Sequence, residues 1–317
     1  MKVVVLNEYG GPDNLVMQDK DKPEVGANDA LVKVHATSVN LADTGLRSGM
    51  FGAMMQPPLV LGFDAAGVVE QVGAGVRDFA PGDEVYYAID LMDRRGGANA
   101  EYHVTDASRL ARKPSNLSFS EAAAVPVAGG TAYAALFTSA GLSLGDTVLI
   151  HGAAGGVGTY AVQLAKAAGA YVFATCGGYD ADLVTSLGAD TVIDYRSEDF
   201  VETVNRVTNG AGVDIVFDAA GGQLAKSIAV VKMDGQLVTV TGAGGDLSPA
   251  MRKNATVRFV HLEDAKQKLD KMRVLFERGQ LKSIIGKTFP LAEVAAAHKL
   301  LEKGGDAVHG KIVIEVA

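Results

Sequence analysis

Apolar and polar positions along this chain change their spacing twice, and the changes divide it into three stretches. In the first, Lys2–Leu6 and Leu15–Gln18 are short apolar runs on either side of the Gly10-Gly11-Pro12 turn, the pattern of a hairpin. Ala30–Ala36 (ALVKVHA) and Ala66–Val72 alternate apolar with polar residues, as half-buried strands do. Glu84–Ala88, introduced by the turn residues Pro81-Gly82-Asp83, and Ala100–Val104 add two more strands. This part is expected to be β-rich. From Ser120-Glu121 helical spacing takes over, with a capped start, an interruption at Val125-Pro126 and a helix over Gly130–Ala140.

The second stretch alternates strand with helix. Thr147–Ile150 forms a buried strand and Thr159–Ala168 a helix, followed by strand Tyr171–Cys176, helix Asp180–Leu187, strand Thr191–Asp194, helix Asp199–Thr208, and strands Val213–Asp218 and Leu237–Thr241. Parallel neighbours need crossovers, usually helical, so this order implies a doubly wound parallel sheet. Ala255–His261 is a further apolar strand. In the third stretch come helices over Asp264–Arg278 and Leu291–Leu301 and a last strand, Lys311–Val316. That strand has no sheet near it in sequence and is expected to return to the N-terminal β-rich part.

Between Thr147–Ile150 and the following helix lies His151-Gly-Ala-Ala-Gly-Gly-Val-Gly158. Such a turn leaves the first N–H groups of the helix unpaired, which favours a phosphate. The spacing is Ala153-x-Gly155-x-x-Gly158, with alanine at the first of the usual three glycines; Gly155 admits the pyrophosphate and Gly158 lets helix pack on strand. Alone, the motif also fits any tight strand-to-helix connection.

Composition narrows the choice further. A length of 317 residues leaves room for roughly two domains. No apolar run reaches the ~18 residues of a membrane span, and the apolar start after Met1 is too short for a signal peptide, so a cytoplasmic location is expected. A net charge of −8 with no basic cluster argues against nucleic-acid binding. The single cysteine, Cys176, ends an apolar run; it excludes an internal disulfide and a multi-cysteine zinc cluster and is expected to be a packed thiol.

Several motifs occur in one order from end to end: Gly62-Phe63-Asp64-x-Ala66-Gly67-Val68-Val69, Pro81-Gly82-Asp83-x-Val85, Gly130-Thr131-Ala132-Tyr133, the glycine turn, and Gly310-Lys311-Ile312-Val313. Together they resemble the medium-chain dehydrogenase/reductase superfamily, in its branch of zinc-independent quinone oxidoreductases and enone reductases. The resemblance implies a Rossmann-type sheet inserted in a β-rich GroES-like catalytic domain. The expected limits are 1–123 for the first part of the catalytic domain, 124–263 for the NADP-binding domain and 264–317 for the return. Where zinc enzymes of the superfamily carry their ligands, this chain has Asn40, Phe63 and Val127, of which the phenyl and isopropyl groups offer a metal nothing. His35, His151 and His298 are scattered and are expected in surface or packing roles, not as ligands.

Without a Lewis acid, an alcohol loses the usual stabilisation of its alkoxide, whereas a quinone or enone spreads incoming charge over its own π system. Hydride from a nicotinamide and one or two hydrogen-bond donors then suffice, with the proton coming from water or a weakly placed acid. The resemblance assigns Asn40 to the acceptor oxygen or the nicotinamide ribose; a loop-closing asparagine is the plainer reading. Asp43 either orients Asn40 or Arg47 or caps a helix. Arg47 either holds an acceptor oxygen or sits exposed on its helix. Phe51 stands where related enzymes carry a tyrosine; with Met50, Met54 and Met55 it suggests either an apolar wall for the acceptor or plain loop and core filler, and Phe63 is a further substrate-side candidate.

For the cofactor, Ala153, Gly155, Gly156, Val157 and Gly158 are expected at the pyrophosphate. No carboxylate follows the second strand, where Thr175-Cys176-Gly177-Gly178 stands instead of the acid that takes an NAD ribose. With Tyr195 and Arg196 matching the 2′-phosphate site of related enzymes, NADPH is favoured over NADH, although Asp180 offers an acid nearby. Thr131, Thr241 and Gly242 are expected at the nicotinamide by the same resemblance. A methyltransferase and a non-catalytic NADPH-binding protein are the competing readings. Ala255–His261, if an open edge, suggests a homodimer.

Overall fold

A computed structural model describes residues 1–50, 52, 55–90, 95–305 and 308–316. The chain divides into two compact units. The first comprises Met1–Val127, Asp264–Gly279 and Ser283–Ala317; the second comprises Ala128–Glu263 with Gln280–Lys282.

In chain order, the first unit opens with β1 (Lys2–Leu6), β2 (Leu15–Asp19), β3 (Asp29–Val39), α1 (Leu41–Arg47), β4 (Leu59–Val60), β5 (Asp64–Val72), β6 (Glu84–Ala88), β7 (Tyr102–Asp106), β8 (Ala111–Arg112) and α2 (Phe119–Ala123). The expected hairpin is present, β1 running antiparallel to β2 with Leu6 opposite Leu15. Expected start Ser120 of the next helix is corrected to Ser118, whose side chain accepts from Glu121 N–H while Ser118 N–H donates to the Glu121 carboxylate. Ala100 is displaced from its expected strand into a lone bridge with Val3, so β7 starts two residues later.

α3 (Pro126–Tyr133) begins at the proline, which needs no N–H partner in a first turn, and runs on as a π-helix over Ala134–Ser139. The second unit then alternates β9 (Thr147–His151), α4 (Gly156–Ala167), β10 (Tyr171–Cys176), α5 (Ala181–Ser186), β11 (Thr191–Asp194), α6 (Phe200–Val207), β12 (Val213–Asp218), α7 (Leu224–Ser227), β13 (Val231–Thr239) and β14 (Thr256–Phe259). The strand order is β11-β10-β9-β12-β13-β14, and every neighbouring pair is parallel. That order reverses between β9 and β12, the switch point at which open α/β sheets bind ligands. Leu149, Phe173, Ile193, Val216 and Leu237, one from each of five strands, lie in one buried cluster.

α8 (Ala265–Glu277), β15 (Ile285–Pro290), α9 (Val294–Lys303) and β16 (Lys311–Glu315) complete the chain in the first unit. β16 is antiparallel to β3, with Ile312 opposite Val39, so the last strand returns to the N-terminal sheet as its isolation in sequence implied. The sheet order there is β15-β16-β3-β5-β6-β8, with β7 also on β3.

Candidate active site

The end of β3 carries the first set of groups. Asn40 follows Val39 and precedes α1, and its N–H donates to Asp43 Oδ2 at 2.9 Å, while Gly62 N–H donates to Asp43 Oδ1 at 2.9 Å. Gly62 has φ +108°, and a Cβ there would stand 2.9 Å from Asn99 N, so only glycine brings this N–H to the carboxylate. Asp43 is buried, and burial pushes its carboxyl up to about 7 against the opposing pull of the two N–H bonds. It thus ties the start of α1 to the approach to β5 and fixes the backbone of Asn40.

The Asn40 side chain lies between two charges. Its Nδ2 donates to Asp64 Oδ2 at 2.7 Å, and its Oδ1 accepts from Lys311 Nζ at 2.5 Å. Lys311 also donates to Val39 O at 3.1 Å and stands 3.5 Å from Asp64 Oδ2. Asp64 takes further bonds from Ser38 Oγ and from Val127 N–H at 2.7 Å, so a fully buried carboxylate is surrounded by donors. Asp64, Lys311 and Ser38 were given no part in the site from the sequence. The signals for them were Asp64 within the Gly62-Phe63-Asp64 motif and a lysine opening the otherwise apolar run Lys311-Ile312-Val313-Ile314.

These donors do not suit tetrahedral zinc. Amide, phenyl and isopropyl groups stand at Asn40, Phe63 and Val127, and the carboxylate beside them is engaged by an ammonium. Among the described residues no group of three or more His, Cys, Asp or Glu is placed to hold a metal.

Arg47 is not exposed on α1. It is 2 % exposed, donating from Nη1 to Gly10 O at 2.6 Å and from Nη2 to Glu302. Phe51 and Met54 lie outside the described residues. Phe63 is half-buried against the core, whereas Met50 is exposed. His35 stacks on Phe119 at 4.3 Å between centroids, and His298 is fully buried, with burial and Arg47 lowering its pKa to about 4.

In the second unit the cofactor candidates after the strands gather at the carboxyl ends of the sheet. The turn after β9 places its left-handed residue at Gly152 (φ +70°), one position before Ala153, which explains why alanine is tolerated at 153. Gly155 is the N-cap of α4 and is exposed; a Cβ there would meet only Gly152 O at 3.3 Å. A Cβ at Gly158 would lie 2.1 Å from Gly152 O and 2.7 Å from Ala153 Cα, so this glycine sets the contact of helix and strand. Gly156 and Val157, in the first turn of α4, are half-buried. The N–H groups of this turn and the solvent-exposed Gly155 at the helix N-cap fit a pyrophosphate.

Cys176 and Gly177, both buried, close β10 without a carboxylate, and Asp180 is itself buried. Burial drives the Cys176 thiol up to about 11, in keeping with a packed thiol. Exposed Gly178 leads to Tyr179; the Arg196 guanidinium lies 5.2 Å from the Tyr179 ring centroid and 5.7 Å from that of Tyr195, both rings being about half exposed. The ends of β10 and β11 thus bring together two aromatic rings, a guanidinium that can pair with a phosphate, and the Asp194 carboxylate, whose Oδ2 would stand 2.6 Å from a Cβ at Gly178. After β13, Thr241 N–H donates to Thr239 Oγ1 at 3.1 Å, Gly242 is exposed with open space around it, and Thr131 on α3 is nearly buried.

Beneath these loops Asp218 escaped sequence reasoning, whereas His151 was expected only in a surface or packing role. Asp218, fully buried at the end of β12, accepts from Gly221 N–H and Gln223 N–H, each at 2.7 Å. His151 contacts Thr175 Oγ1 at 3.1 Å and Ser227 Oγ at 2.9 Å. Because Ser227 Oγ donates to Gln223 O, it accepts from His151 Nε2–H, and Nδ1 accepts from Thr175. His151 therefore serves packing, bracing β9, β10 and α7.

A parallel sheet with a helix N-terminus at its switch point, carried in one chain with a β-rich unit, is an architecture that nucleotide-dependent oxidoreductases use. Residues 26–115 match the alcohol dehydrogenase GroES-like domain and 187–314 the zinc-binding dehydrogenase model. The chain is 32 % identical to a quinone oxidoreductase of Homo sapiens, covering 99 % of this chain and 97 % of that protein. It is 36 % identical to an NADPH-dependent alkenal/one oxidoreductase, chloroplastic, of Arabidopsis thaliana, covering 99 % and 79 %. Among solved structures it resembles Escherichia coli quinone oxidoreductase complexed with NADPH (30 % identity, TM-score 0.90) and an NAD-dependent alcohol dehydrogenase (33 %, 0.92), covering all of both chains in each case. The chain belongs to the medium-chain dehydrogenase/reductase superfamily, in the branch of quinone oxidoreductases and enone reductases.

Proposed function

We propose that this oxidoreductase reduces a quinone or an α,β-unsaturated carbonyl with NADPH and without zinc. The observation that carries the reading is the donor set at the end of β3, an amide held between an ammonium and a carboxylate where a metal-dependent enzyme needs ligands. Such a set can give one hydrogen bond to an oxygen that gathers charge but cannot stabilise a full alkoxide. An acceptor that delocalises the charge itself matches that capacity. Bound NADPH would supply the hydride, and water the proton.

The loops of the second unit hold the cofactor in this reading. Gly155, Gly156, Val157 and Gly158 take the pyrophosphate, Tyr195 and Arg196 with Tyr179 the 2′-phosphate, and Thr131, Thr241 and Gly242 border the nicotinamide. NADPH is preferred in this reading because Gly177-Gly178, and no acid, directly follows β10, and the Arg196 guanidinium lies beside both the Tyr179 and the Tyr195 ring. The test is NADPH and NADH oxidation measured against p-benzoquinones, enones, plain aldehydes and, in reverse, alcohols. Turnover of quinones or enones with a lower KM for NADPH is expected. Brisk alcohol oxidation with NAD, the activity named for one structural neighbour, would overturn the reading. Asn40→Ala should lower kcat by about 10²-fold, the usual effect of removing a donor at a developing oxyanion.

A further inference from the structure

Lys311 belongs to a sequence motif but has no part in the reaction proposed above. It is 4 % exposed, and its ammonium is spent on Val39 O, Asn40 Oδ1 and the neighbourhood of Asp64. The pairing of β16 with β3, Ile312 opposite Val39, delivers this ammonium to the residue that follows β3. A primary amide has two ends of nearly equal size, and only hydrogen bonding decides which way it points. Here both ends meet a charge of the matching sign. Turning the amide over would set its NH2 against the Lys311 ammonium and its oxygen against the Asp64 carboxylate, two repulsive contacts in a buried place where screening is weak.

We propose that Lys311 and Asp64 act as positioning residues that lock the Asn40 amide in one orientation, leaving its second Nδ2–H available to the acceptor oxygen. Of the two Nδ2 hydrogens, the Asp64 bond uses one. Lys311 thereby makes a lone asparagine a fixed donor instead of a group that could equally present a repelling oxygen. The inference rests on the assignment of Asn40 to the acceptor.

Lys311→Met keeps the length of the side chain and removes its charge. It is expected to lower kcat at least about tenfold while the NADPH dissociation constant changes less than about twofold, and Lys311→Arg to recover much of the loss. In an Asn40→Ala background the same substitution should cost less than about threefold further, since residues that act through one another are not additive. Unaltered kcat in Lys311→Met, or equal losses in both backgrounds, overturns the proposal. Should that variant not fold, wild-type enzyme labelled with 15N-asparagine and saturated with NADPH gives an independent reading. One Asn40 Nδ2 proton should be strongly protected and the other should move when an acceptor analogue binds; two equally exchanging protons overturn the assignment. Absence of wild-type turnover with quinones and enones sinks the functional reading, whereas wild-type turnover with an indifferent Lys311→Met sinks only this one.

Discussion

Single buried side chains carry opposite pH signatures. Asp43 titrates near 7 in the folded protein against 3.8 as a free side chain, because burial disfavours its anion. Between those values the folded state binds the extra proton, so this group makes stability fall as pH rises. The buried rings of His103, His151 and His298, lowered to about 4 from 6.5 chiefly by burial, make it rise over pH 4 to 6.5 because there the unfolded chain binds more protons. The Asp43 contribution is isolated by subtraction. From pH 4 to pH 7 the unfolding free energy of Asp43→Asn should gain on wild type by up to about 4 kcal/mol, three pKa units at about 1.4 each, over a fixed loss of ~1–3 kcal/mol from the N–H bond an amide cannot accept. Urea melts at each pH measure both. A difference that stays flat with pH means that Asp43 is ionised throughout. Arg47, clasped by Gly10 and Glu302, should behave as a structural residue: Arg47→Met is expected to lose ~1–3 kcal/mol of stability with the acceptor KM unmoved. Arg196→Ala, by contrast, should raise the KM for NADPH at least about tenfold and leave that for NADH within about twofold, since only one cofactor carries the phosphate that pairs with a guanidinium.

At the scale of elements, the glycine turn separates folding from binding. Gly158→Ala pushes a Cβ into the backbone of Gly152 and Ala153, which cannot yield, so α4 must lift from the sheet; a loss of about 3 kcal/mol or more is expected in a thermal melt. Gly155→Ala meets one atom, Gly152 O at 3.3 Å, which must give by a few tenths of an ångström, and has an ordinary φ of −75°, so its melting temperature should fall far less than that of Gly158→Ala while NADPH binding, measured by fluorescence titration, weakens at least about tenfold as the methyl occupies the pyrophosphate's place. The same elements show what periodicity can reveal. β1, β6, β10, β11 and β12 begin and end where their apolar runs do, because each run is bounded by turn residues. β15 went unseen: Ile-Gly-Lys-Thr-Phe-Pro mixes a glycine and a proline into a largely exposed edge strand, and no alternation survives. The first half of β13 was missed because Lys232, Met233 and Asp234 face outward. Asn40 was legible as a candidate by resemblance, but the ammonium that holds it was not, because that contact spans 271 residues and depends on register between β3 and β16.

For the molecule as a whole, the two units pose different problems of closure. The first takes its final strands from the end of the chain and covers the flank of β3 with β16. Among the described residues of the second, β14 pairs with β13 alone and ends the six-stranded sheet as an edge strand. Edge strands expose unpaired N–H and C=O groups and are normally blunted by charge, proline or cover. Thr256-Val257-Arg258-Phe259 has a single charge and no proline, and Phe259 is 64 % exposed at its end. A second copy of the same strand, antiparallel across a two-fold axis, would satisfy those groups and cover the ring, since an isologous contact sets each patch on itself. The expectation is a homodimer at micromolar concentration in sedimentation equilibrium. Phe259→Glu would set two carboxylates into that contact and should shift the equilibrium to monomer, with NADPH affinity retained because the cofactor loops lie at the carboxyl ends of other strands. A wild-type monomer at all concentrations tested, or a dimer indifferent to Phe259→Glu, rules out β14 as the seam.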